Sequence, residues 1–92
     1  MKLYRLELED KAARNLREMP GRIRQDAAQL ILDLRYDPHL PESVSLGREY
    51  GDLRRIKLDG WRILYKVYAR DRVVKIISVE KRGPETYQNI FG

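Results

Sequence analysis

Arg55, Lys57, Arg62 and Lys66 crowd onto either side of an Asp59-Gly60 pair. Two runs of alternating character, residues 53–58 and 61–67, flank that pair, and Asp-Gly between such runs predicts a two-residue hairpin turn. The turn sets the register: Leu58 faces Trp61, Lys57 faces Arg62, Ile56 faces Ile63 and Arg55 faces Leu64. Side chains alternate along a strand, so Arg55, Lys57, Arg62 and Lys66 share one face. Ile56, Leu58, Trp61, Ile63, Tyr65 and Val67 share the other. Like charges directly opposed across strands are destabilising by roughly 0.2–1 kcal/mol. A face that opposes Lys57 to Arg62 is therefore suited to holding an anion.

The rest of the chain supplies what must hold this hairpin. Tyr4, Leu6 and Leu8 alternate with Arg5, Glu7 and Glu9, which reads as a half-buried strand. Asp10 is placed to cap a helix with Ala12, Ala13, Leu16 and Met19 on one stripe. Pro20-Gly21 breaks it. A second helix carries Ile23, Ala27, Leu30, Ile31 and Leu34 on its core side, so the two form a helical hairpin. Residues 37–51, with Pro38, Pro41, Gly47 and Gly51, read as a long loop. His39, the single histidine, lies there and is read as a surface residue, because acid–base catalysis needs partners within hydrogen-bond reach.

Residues 73–79 are β-branched and nearly all apolar, as in a strand buried within a sheet. If residues 70–72 form a three-residue loop before it, Leu64 faces Ser78, Arg62 faces Glu80, and Arg82 projects on the face of Arg62. Residues 85–91 are expected to form a short closing helix after Pro84. The order β-α-α-β-β-β with that helix predicts an α+β fold, a helical hairpin packed on one face of a mainly antiparallel four-stranded sheet. The basic face is expected to stay open.

Ninety-two residues suit one domain, residues 1–92, and 42% hydrophobic content suits a folded one. No cysteine is present, which excludes disulfides and thiolate chemistry and fits a reducing compartment. The net charge of +5 favours nucleic acid or an acidic protein as partner. No apolar run approaches ~18 residues and no secretory leader is read, so a cytoplasmic protein without a membrane partner is expected. Carboxylates are scattered and histidine is single, so neither a metal site nor a cofactor is indicated.

Arg55-Ile56-Lys57-Leu58, then Gly60-Trp61-Arg62-Ile63-Leu64-Tyr65-Lys66-Val67, then Lys81-Arg82 followed five residues on by Tyr87, resemble the RelE/ParE superfamily of bacterial toxin–antitoxin toxins. Within it they look like the RelE-type ribosome-dependent mRNA endoribonucleases. Carried over position by position, the resemblance implies functional roles for Arg55, Lys57, Arg62, Arg82 and Tyr87. It also implies a cognate antitoxin, the ribosome and mRNA as partners. One position departs from the pattern: Arg55 stands where these enzymes commonly have lysine, and an arginine binds phosphate but does not act as a base. The ParE-type relatives share the fold, poison DNA gyrase and typically lack the full set of basic residues and tyrosine.

RNA is cut when its 2′-hydroxyl attacks the neighbouring phosphorus. Lys57 and Arg62 suit the charge on the phosphoryl oxygens, Arg62 through its planar fork. Arg55 and Lys66 suit the flanking substrate phosphates. Tyr87 is the best remaining base, since nearby cations favour its phenolate. The resemblance places Arg82 at the leaving group, by charge or proton donation. Trp61 and Tyr65 are read as core, Tyr36, Tyr50 and Tyr68 as surface aromatics, and Arg14, Arg17 and Arg48 as solvated basic surface.

Overall fold

Asp59 and Gly60 both take positive φ, 43° and 82°, the type I′ geometry whose twist matches the strands it joins. The computed structural model, which describes residues 3–81, builds outward from this turn. Strand β3 (Arg54–Leu58) and strand β4 (Trp61–Tyr68) pair antiparallel in the expected register. The other elements, in chain order, are β1 (Arg5–Leu8), α1 (Asp10–Glu18), α2 (Gly21–Asp33), β2 (Ser43–Ser45) and β5 (Val73–Lys81). The sheet order is β1-β5-β4-β3-β2, with β1 parallel to β5 and the other pairs antiparallel.

The α+β class is as expected, but the sheet has five strands rather than four. The additional strand lies inside the stretch read as loop, where Val44 pairs with Arg55 between Ser43 and Ser45. Three residues are too few to display an alternation, and the prolines and glycines around them dominate the local pattern. Asp10 does not cap α1 as expected. The Glu9 N–H donates to the Ile76 carbonyl at 3.0 Å, prolonging strand pairing by one residue, so Glu9 takes the cap position. Asp10 becomes an acid in the first turn, where it suits the helix dipole. The last strand runs to Lys81, two residues past the expected end. The expected helix over residues 85–91 lies outside the described residues.

The connection before β5 also differs. Tyr68 pairs with Val73, so four residues, 69–72, make the loop rather than three. Continued unchanged, that register would set Arg62 opposite Val79 and turn a cation toward the helices. The register instead steps by one residue between Leu64 and Tyr65, passing over Ile77. This β-bulge restores the expected pairs, Leu64 with Ser78 and Arg62 with Glu80.

Both helices cover one sheet face. Ala12, Met19, Ala27, Ile31 and Leu34 pack with Ile56, Ile63, Tyr65, Val74, Ile76 and Val79, and Trp61 packs against them half-buried. Burying each large side chain of this kind contributes roughly 1.5–3 kcal/mol. Two polar contacts tie loop and helix to the sheet. The Tyr65 hydroxyl donates to the Pro38 carbonyl at 2.8 Å, fixing the start of the long loop. The Val79 N–H, beyond the end of β1, donates to Oδ1 of Asn15 at 3.0 Å. No helix among the described residues is long and apolar enough to cross a membrane.

Tyr65→Phe removes the bond to Pro38 and leaves a buried carbonyl to find another donor. The urea midpoint is expected to fall by the equivalent of about 1–3 kcal/mol. An unchanged midpoint would show that this contact does not hold the loop.

Candidate functional site

The face away from the helices is built from three rows across the strands. Lys57, Arg62 and Glu80 form the first, on β3, β4 and β5. Val44, Arg55, Leu64 and Ser78 form the second. Lys66, Lys75 and Glu7 form the third, reaching β1. The structure thus brings Arg55, Lys57, Arg62 and Lys66 onto one face. Arg82 and Tyr87 lie outside the described residues.

The expectation that this face stays open needs correction. Lys57 is exposed and Arg55 and Lys66 are half-buried, but Arg62 is only 5% exposed and Leu64 only 1%. At the Lys66 end of the face, the residues that join β2 to β3 come close to it. The Leu46 N–H donates to the Leu53 carbonyl at 2.9 Å, and Leu53 is buried. Gly51 adopts φ +69°, and a Cβ there would stand 3.1 Å from Nζ of Lys66. Glycine at this position thus meets two demands, the left-handed backbone and the close approach of the lysine. Leu53 and Leu64 stand apart from the main apolar cluster, on the side of the sheet that composition had left to cations.

A buried cation opposed to another cation needs compensating charge. Glu80 faces Arg62 in the same row, with its side chain 16% exposed. Its carboxylate accepts from the Ser78 hydroxyl at 2.9 Å and lies 3.7 Å from Nζ of Lys11 on α1. The register argument anticipated the position of Glu80 but not its anchoring. Lys11 lies far away in sequence, and no local pattern links it to β5. Arg54, which adjoins Arg55, turns to the other side and donates to the Ser43 hydroxyl at 2.8 Å. His39 is exposed, and its backbone N–H donates to the Asp37 carboxylate at 2.9 Å. Among the described residues, no three His, Cys, Asp or Glu side chains gather as metal ligands.

Chemically, the arrangement presents one mobile ammonium and one guanidinium held by its surroundings, side by side. A fixed fork and a movable point charge suit an anion with several oxygens, and fixed donors need little reorganisation when charge develops on it.

The family model for the ParE toxin of type II toxin–antitoxin systems, parDE, matches residues 6–84. Among solved structures, a chain of the archaeal RelE–RelB complex from Pyrococcus horikoshii superposes with a TM-score of 0.78 at 27% identity, covering 89% of this chain and 98% of that one. A chain of the toxin–antitoxin complex RelBE2 from Mycobacterium tuberculosis gives 0.75 at 26%, covering 87% and 99%. A chain of the intact RelBE toxin–antitoxin complex of E. coli gives 0.75 at 26%, covering 87% and 98%. Comparison with curated proteins by sequence returned no match.

The opposition of Lys57 and Arg62 carries a measurable consequence. Lys57→Gln is expected to leave the fold intact and to raise stability by about 0.2–1 kcal/mol, read from the urea midpoint. Because Lys57 is exposed, the gain should shrink as salt is added. A fall in the midpoint would make Lys57 a structural residue.

Proposed function

Because this chain belongs to the ParE toxin family, within the RelE/ParE superfamily of toxin–antitoxin toxins, we propose that it is a ribosome-dependent endoribonuclease that cuts mRNA in the decoding site. The observation that carries this reading is the row Lys57–Arg62–Glu80, in which two cations meet on one sheet face in a fixed register. Arg62, held by burial, grips the phosphoryl oxygens, and Lys57 adds a second charge from the solvent side. Together they stabilise the phosphorane-like transition state as the 2′-oxygen bonds to phosphorus and the 5′-oxygen departs. Arg55 and Lys66 bind the flanking phosphates. On the resemblance, Tyr87 as its phenolate takes the 2′-proton, and Arg82 offsets the charge on the departing 5′-oxygen, which takes its proton from water. The reaction so written draws on no metal.

The ribosome supplies what a small basic sheet does not, namely a positioned substrate, so free RNA is expected to be a poor one. Residues 1–92 would work as one domain, in the cytoplasm. Its regulator is proposed to be a cognate antitoxin whose acidic or amphipathic segment folds on binding and covers the basic row. The solved RelE–RelB and RelBE complexes support an antitoxin as partner.

The family model's own description favours a second reading, a ParE-like toxin that inhibits DNA gyrase without enzymatic activity. One pair of assays separates the two. The ribonuclease reading expects mRNA to be cut only when ribosome-bound, with DNA supercoiling untouched. Blocked supercoiling with intact mRNA would establish the second.

Within the first reading, Lys57→Gln is expected to slow single-turnover cleavage on ribosomes by about 10²–10³-fold, as loss of an oxyanion donor does. Arg62→Lys, which keeps the charge but not the fork, should also slow it, while Arg14→Ala or Arg17→Ala should mainly weaken docking. A Lys57 variant cleaving at the original rate would remove Lys57 from the chemistry.

A further inference from the structure

Toward the opposite end of the same sheet face lies a cleft of about 280 Å³, lined by Arg5, Glu7, Tyr68, Asp71, Val73 and Lys75. The mechanism proposed above uses none of these residues. Tyr68 stands six positions along β4 from Arg62, roughly 20 Å at strand rise. Lys66 lies between them on the same face. The cleft's floor is Val73, which is buried. One wall is the ring of Tyr68, 41% exposed, with Nζ of Lys75 5.8 Å from its centroid. The opposite wall is the exposed Arg5–Glu7 ion pair, 3.1 Å across.

The loop that closes this end is strained. Arg72 holds φ +53°, a region where a side chain is disfavoured and glycine would sit easily. The arginine is nonetheless in place, its guanidinium 5.4 Å from the ring centre of Tyr4.

We propose that this cleft is a nucleobase subsite for the single-stranded RNA whose scissile phosphate sits at Lys57 and Arg62, an inference that rests on the ribonuclease reading. A base stacks on Tyr68 and takes the place of Lys75 over the ring. The ammonium, which also lies 3.8 Å from Oε1 of Glu9, then exchanges that carboxylate for a phosphate of the strand running past Lys66 toward the cutting site. Glu7, at the rim, accepts from the exocyclic amine of adenine, cytosine or guanine, a donor that uracil lacks. An aromatic platform joined to a track of cations is how proteins hold single strands without base pairing. An acidic peptide would draw on the cations alone and would meet Glu7 and Asp71 as repulsion, whereas a base edge uses a carboxylate.

Two measurements on the intact protein test this. The first is anisotropy of a labelled, uncleavable 2′-O-methyl oligoribonucleotide titrated with the free protein. The second is ribosome-bound cleavage as a function of toxin concentration. Tyr68→Ala should weaken both oligonucleotide binding and the half-maximal cleavage concentration by about tenfold. The rate at saturation should change little, as for an interaction made equally before and during the reaction. Tyr68→Phe should recover most of the loss. Tyr36→Ala, an exposed aromatic beyond the end of α2, should match the unsubstituted chain. If Tyr68→Ala binds and cleaves unchanged while the parent cuts mRNA, the subsite is overturned and the ribonuclease reading stands. If the parent cuts no mRNA, the ribonuclease reading falls and the subsite falls with it. A Tyr68→Ala variant with weakened binding of an acidic antitoxin peptide but intact RNA binding would overturn the proposal in favour of a peptide surface.

Discussion

Register across β3, β4 and β5 is the constraint on which the rest of the molecule depends. Side chains alternate with a period of two, so a slip of one residue exchanges the faces of an entire strand. In this chain a slip in β4 would drive Arg62 under the helices and expose Ile63 and Tyr65, which are fully buried. Two devices prevent it. The Asp59-Gly60 turn fixes β4 against β3 through backbone conformations open chiefly to glycine and, less readily, aspartate. The step at Ile77 fixes β4 against β5, correcting the parity of a four-residue loop. The row Lys57–Arg62–Glu80 exists because both devices operate together.

Placing cations on a partly buried sheet face sets stability against function. Opposed like charges and a nearly buried guanidinium oppose folding, and the structure offsets them locally rather than spreading the charges apart. Glu80 faces Arg62 and is itself held by Ser78 and by Lys11 from α1. The helix layer therefore does more than cover the apolar side: through Lys11 and Asn15 it also reaches β5 where β1 has ended. Under the proposed function, the nearly buried Arg62 is the donor held in place before substrate arrives, the condition under which electrostatic stabilisation is effective.

The hairpin register could be read from residues 52–67 because turn chemistry and period-two alternation are local, and both agreed. The helix stripes were legible for the same reason, since Ala27, Ile31 and Leu34 recur at helical spacing and are buried as that spacing demands. What escaped the sequence was non-local or too short to show a pattern. Strand β2 has only three residues, and the bulge at Ile77 leaves no mark in a run that is almost uniformly apolar. Leu53 and Leu64 are buried on the basic face, and hydropathy along one strand does not report what another segment covers. The reach of Lys11 to Glu80 spans about three quarters of the chain. In the site itself, the cation row and the place of Glu80 opposite Arg62 were legible through register, whereas the anchoring of Glu80 by Ser78 and Lys11 required the folded neighbours.

The central claim is that this row stabilises attack by the 2′-hydroxyl of RNA. The most direct measurement is the chemistry of the ends left when the protein cuts ribosome-bound mRNA. The account predicts a 2′,3′-cyclic phosphate on the upstream fragment and a 5′-hydroxyl on the downstream one. A 3′-hydroxyl facing a 5′-phosphate, the mark of attack by water, would contradict it, as would mRNA left uncut.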